Sequence, residues 1–182
     1  MEKKDSVKDK KLKDLLSELA SGDDKRQIKA VQALKVHGNE TVIEPLLVAL
    51  ANTESEKLAG EIIDLLNTTK STKVPAVIAK ALVDKRFKAI RHTLLVSIWN
   101  SGLDYRPYLK EIAAAGCEGE MMDALECITI VENLEGELTE DQLFEPILVL
   151  KEYLANNKSE TGAKIDMLKE MAVALQNINN QL

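Results

Sequence analysis

Cysteine is scarce in this chain. Cys117 and Cys127 are its two thiols, with no Cys-x-x-Cys spacing and no histidine pair nearby. Neither a disulfide framework nor a zinc site is indicated, and both read as reduced packing residues. Histidine is equally sparse: His37 lies near a helix end and His92 mid-helix, and neither forms a recognisable pair with a Ser or Cys nucleophile. No Asp-x-Asp-x-Asp-Gly calcium loop is present. The expectation is therefore a protein with no cofactor, no metal and no catalytic residues. Long apolar runs are missing as well, since none approaches the about 20 residues of a membrane span. The opening Met1-Glu2-Lys3-Lys4-Asp5-Ser6 leads into further charge instead of a signal-peptide apolar stretch. A cytoplasmic location follows as the default. Excess positive charge is lacking too: the net charge of −6 makes a poor footprint for nucleic acid, whose phosphates reward clustered Lys and Arg.

What is present is helical and repetitive. At 182 residues and 45% apolar content the chain is long enough to bury a core as one structural domain. Its four prolines, Pro45, Pro75, Pro107 and Pro146, recur 30, 32 and 39 residues apart, each beside a similar apolar stretch. Proline fixes φ and lacks an N–H, so it opens helices and does not sit inside them. The spacing therefore predicts the same helix start in four successive units, stacked as a solenoid.

Apolar periodicity fills in those units. Ile28, Val31 and Leu34 stripe a helix from about residue 24 to 37, which Gly38-Asn39 stops. Thr41 and Glu44 have capping-box spacing before Ile43, Leu46, Leu47 and Leu50. Leu58, Ile62, Leu65 and Leu66 precede Val74, Val77, Ile78, Ala81 and Leu82 in the second unit, with Ser71 or Thr72 as the cap between. The third runs from about Arg86 to Ser101, turns at Gly102 and resumes at Asp104. The fourth carries Met121, Leu125 and Ile128 inward, breaks at Leu134 to Gly136, and continues with Leu143-Phe144-Glu145-Pro146-Ile147-Leu148-Val149. That run echoes Val42-Ile43-Glu44-Pro45-Leu46-Leu47-Val48 of the first unit. Thr139 and Gln142 also have capping-box spacing, which places Pro146 well inside a helix unless the chain kinks near Phe144 or the helix starts later. Leucines 12, 15, 16 and 19 stripe an N-terminal capping helix, and Ile165, Leu168, Ala172, Leu175 and Ile178 a C-terminal one. The fold class is therefore all-α: a solenoid of about four helical hairpins, at residues 23–52, 53–84, 85–117 and 118–157, with capping helices at 1–22 and 158–182.

In Ala30, Ala33, Leu34, Gly38, Pro45-Leu46-Leu47 and Gly102 the chain resembles the HEAT-repeat family, particularly its short bacterial type, over about residues 23 to 157. The inter-helix arginine and aspartate of many HEAT units have no counterpart. The resemblance implies a right-handed, curved stack whose second helices line a concave face used mostly for binding other proteins, and so a non-catalytic scaffold or adaptor. Two enzyme classes also use HEAT-like stacks, the bilin lyases and the alkyl-base DNA glycosylases. Trp99, Asp104, Arg106 and Tyr108 are superficially similar to the set of the second, but the net acidity opposes DNA binding.

Candidate partner-binding residues cluster in the third unit, which holds Phe87, Trp99, Tyr105 and Tyr108, four of the six aromatics. Residues 85–117 carry six basic and two acidic side chains, whereas residues 118–157 carry one and eleven. The helix from Arg86 to Ser101 is apolar on two sides, with Phe87, Ile90, Leu94 and Ile98 on one and Leu95, Val96, Trp99 and His92 on the other. Two readings stay open: Trp99 fills the wedge between hairpins, or it anchors an exposed patch that docks another protein or a second copy. Lys73, Lys80, Arg106 and Lys110 form either a basic strip attracting an acidic peptide or a solvated helix face. Together with His92, Trp99 and Tyr108, these are the candidate site.

Overall fold

A computed structural model describes the backbone of residues 2–179 and the side chains of residues 10–178. The charged opening at Met1 to Ser6 and the end of the C-terminal segment lie outside the described side chains. Among the described residues the protein is all-helical, and no helix is long and apolar enough to cross a membrane. Ten α-helices follow one another: α1 (Glu2–Leu19), α2 (Asp24–His37), α3 (Ile43–Asn52), α4 (Glu56–Thr68), α5 (Val74–Leu82), α6 (Arg91–Ser101), α7 (Leu109–Glu118), α8 (Met121–Glu132), α9 (Glu140–Asn156) and α10 (Ala163–Asn179). Short 3-10 turns, Glu40–Val42, Lys85–Ile90 and Arg106–Tyr108, lead into α3, α6 and α7.

Local sequence sets the boundaries. Side chains of Asp23 and Ser55 accept from the N–H groups of Arg26 and Leu58, satisfying donors that a helix start leaves unpaired. Thr139 and Gln142 form the full capping box. At α3 the cap differs from the expectation: Asn39 accepts from the Thr41 N–H, Thr41 sits inside the 3-10 turn, and Thr41 and Glu44 make no capping box. Pro75 lies in the first turn of α5, Pro45 is the third residue of α3, and Pro107 occupies the 3-10 turn before α7. Pro146 breaks the pattern and is inside α9, because the capping box at Thr139 starts that helix seven residues earlier.

The helices pack on neighbours two places along the chain. Helix α2 meets α4, α4 meets α6, α6 meets α8 and α8 meets α10. In the second row α1, α3, α5, α7 and α9 succeed one another in the same way. A mid-chain helix such as α6 therefore touches α4 and α8 in its own row and α5 in the other, so it buries Leu94, Leu95 and Ile98 together. Each fully covered Leu or Ile contributes about 1.5–3 kcal/mol, and only while its neighbour is in place.

The inward stripe of α8 is the expected one only at Ile128. Met121 and Leu125 are exposed, while Ala124, Cys127, Ile128 and Val131 are buried against α6, α7 and α10. Gly116 of α7 explains the preference for small residues there. A Cβ at Gly116 would stand 3.3 Å from the Cβ and Sγ of Cys127 and 3.4 Å from Leu168, so α7, α8 and α10 meet at close range.

Candidate functional site

Gly102 ends α6 in the left-handed conformation at φ 63°, and the chain doubles back into Leu103 and Asp104. Asp104 then organises the turn. Its carboxylate accepts from the Arg106 N–H at 3.0 Å and from Nε and Nη2 of the Arg106 guanidinium at 2.9 Å each. The remaining Nη1 donates to the Glu137 carbonyl at 3.1 Å, tying the third unit to the loop that precedes α9. Gly136, at φ 85°, makes room for that contact, since a Cβ there would come within 2.5 Å of Nη1. The guanidinium holds the Asp104 carboxyl below the usual carboxylate range.

Between this turn and the end of α8 lies a hollow of about 470 Å³, with Ile98, Tyr105, Ile130 and Leu134 as apolar walls and Trp99 and Arg106 also lining it. Trp99 is 50% exposed, so the indole does not fill a wedge between helices. Tyr105 is buried, and that burial pushes its phenol well above the ordinary tyrosine range. Tyr108 is half-buried and packs against the core. His92 is two turns before Trp99 on α6, with Nδ1 3.6 Å from the Asp123 carboxylate.

The basic candidates are placed differently from a free strip. Lys73 pairs with Glu40 at 2.7 Å, Lys110 with Glu145 at 2.6 Å, and Arg106 with Asp104. Lys80 makes no ion pair among the described residues and lines a separate hollow of about 310 Å³ with Glu44 and Phe87. The structure thus brings Trp99 and Arg106 to one hollow and leaves Lys73, Lys80 and Lys110 elsewhere along the second row. Two ion pairs join the third and fourth units, Arg91 to Glu118 at 3.2 Å and Lys110 to Glu145, and Arg106 also reaches the Glu137 carbonyl.

Two features had no sequence signal. Arg91 is 3% exposed, although an arginine within a basic run reads as surface. A hollow of about 970 Å³ lies between α1 and α3, with Leu16, Pro45 and Val48 on its apolar side. The thiols lie away from both hollows. Burial pushes Cys117 up to about 11 and Cys127 further, and the Cys127 thiol donates to the Ile112 carbonyl at 3.1 Å. In native protein at pH 8 neither is expected to react with a disulfide reagent within minutes, and both should react in guanidinium. Rapid reaction of one native thiol would contradict the packing.

Comparisons with models of protein families, with curated proteins and with solved structures find no match for this chain.

Proposed function

We propose that the protein is a non-catalytic scaffold or adaptor of the cytoplasm, a right-handed HEAT-like solenoid that binds another protein. The two-row packing of alternate helices supports the solenoid reading, because such packing buries an apolar face on each pair that no pair covers alone. The observation that carries the binding reading is Trp99, half-exposed over a hollow with apolar walls and a fixed arginine at its rim. An exposed Trp beside Arg is the composition of an interface anchor.

Arg106 and Lys110 are poor probes of this reading, because both are bonded within the fold. Trp99 is the better one. It is the single tryptophan, so the emission of the free protein should resemble that of a solvated indole and be quenched by iodide. Crosslinked capture from native cytosol identifies partners, and Trp99→Ala should weaken their binding at least about tenfold, with a melting temperature close to wild type. A blue-shifted, unquenchable Trp99, or capture unaltered by Trp99→Ala, would sink the assignment.

A further inference from the structure

We infer that the open edge between α9 and α10 is the docking place of an amphipathic helix from another protein, which takes the next position in the row α3, α5, α7, α9. The inference rests on the two-row packing and is independent of the Trp99 hollow. Its starting point is the internal echo. Val42 and Leu46 of the first unit and their counterparts Leu143 and Ile147 are all buried. Ile43 and Leu47 are 2% and 0% exposed, whereas their counterparts Phe144 and Leu148 are 62% and 40% exposed. Equivalent residues in equivalent sequence meet opposite surroundings.

Helix α3 packs against α4, α5 and the Lys85–Ile90 turn, with Ile43 near Leu65 and Val74 and Leu47 near Phe87. Helix α9 has α7 behind it and α10 beside it, and no described helix follows it in the row. The unoccupied position is a hollow of about 600 Å³ bounded by Glu140, Asp141, Phe144, Leu148, Lys151 and Gln176. These α9 residues recur every three or four positions over about three turns, a length of about 15 Å, which is the footprint of a helix.

Charge narrows the occupant. Glu140 and Asp141 stand at the start of α9, Lys151 stands at the other end of the hollow, and the unit as a whole is strongly acidic. The fitting helix is apolar on one side and basic at the end that faces Glu140 and Asp141. In the first unit Glu40, the counterpart of Asp141 at the same offset, pairs with Lys73 at the start of α5, the next helix of its row.

The test titrates the full chain into two labelled helical peptides of about 14 residues that share a leucine stripe. One carries lysines at one end, and in the other those lysines are glutamate. The lysine peptide should bind saturably and at least about tenfold more tightly than its glutamate counterpart. Phe144→Ser with Leu148→Ser should abolish that preference while leaving the circular-dichroism melt unchanged, and Trp99→Ala should leave the titration unaltered. No saturable binding, equal affinity for both peptides, or full binding by the double variant overturns the inference. So does sedimentation as a dimer that the double variant dissociates, because a second copy would then cover the edge. Failure here leaves the Trp99 reading standing, since the capture experiment does not use this edge.

Discussion

Arg91→Met is expected to destabilise the protein by about 2–4 kcal/mol, the larger part of it from one unpaired carbonyl. Arg91 opens α6 and is 3% exposed, yet its guanidinium serves two other helices. Nε donates to the carbonyl of Leu82 at 2.9 Å, the last residue of α5, and Nη2 to the Glu118 carboxylate at 3.2 Å, the last residue of α7. Helix C-termini leave carbonyls without partners and carry partial negative charge, so one buried cation there satisfies hydrogen bonding and two dipoles together. Methionine keeps the apolar stem and removes every donor. The buried Leu82 carbonyl then loses its partner at about 1–3 kcal/mol, and the loss of the charge at the helix ends adds about 0.3–1 kcal/mol. Glu118 is more than half exposed, so its share of the pair is small. For a chain of this size the melting temperature should fall by about 5–15 °C. In a Glu118→Gln background the drop should be nearly as large. A loss below about 1 kcal/mol, or one that vanishes in that background, would show that the ion pair and not the carbonyl carries the effect.

The helices were legible in the sequence because period and packing agree. Leu58, Ile62, Leu65 and Leu66 on α4, and Val74, Val77, Ile78, Ala81 and Leu82 on α5, are the residues a helical stripe selects, and all are buried except the half-buried Val77. The reading failed where a helix has more than one neighbour. On α8 Met121 and Leu125 point outward while Ala124, Cys127 and Ile128 point inward, and Gly116 lets α7 approach α8 closely at Cys127. On α6 two apolar sides were visible, but periodicity alone does not tell which faces a third helix and which faces water. Leu95 is buried, and Trp99 is not. The echo between Val42–Val48 and Leu143–Val149 was a true likeness of sequence with unlike surroundings, since what covers a residue depends on the next element in the row. The basic candidates were found, but their partners Glu40, Asp104 and Glu145 lie two to thirty-five residues away, separations that no helical period connects. Arg91 was invisible for the same reason: its acceptors are a carbonyl and a carboxylate at two helix ends.

Gly119→Ala should cost about 2–4 kcal/mol, although nothing in its backbone demands glycine. At φ −82° and ψ −174° the residue is extended, a conformation open to alanine. The constraint is space. Its N–H donates to the Ala115 carbonyl at 2.8 Å and closes α7, while α8 starts at once beside it. A Cβ at this position would lie 2.7 Å from the Ala115 oxygen and 2.5 Å from the Cβ of Asp123, and would also press on the Asp123 Oδ2. Asp123 has little freedom to retreat: it is 7% exposed, and its carboxylate accepts from the Glu120 N–H at 2.9 Å, capping α8. Relief therefore comes from shifting the α7 end against the α8 start, at about 1–3 kcal/mol for overpacking, and from losing the cap at about 1 kcal/mol. The same substitution at Gly60 should act in the opposite direction. Gly60 lies inside α4, is exposed, and has open space where its Cβ would go, so alanine there removes backbone freedom from the unfolded chain and should stabilise by about 0.5–1 kcal/mol. Denaturant melts of the two variants beside wild type make the comparison. If Gly119→Ala stabilises as Gly60→Ala does, the loss of unfolded-chain freedom outweighs the contact at Asp123, and the tight α7–α8 junction is not what fixes residue 119 as glycine.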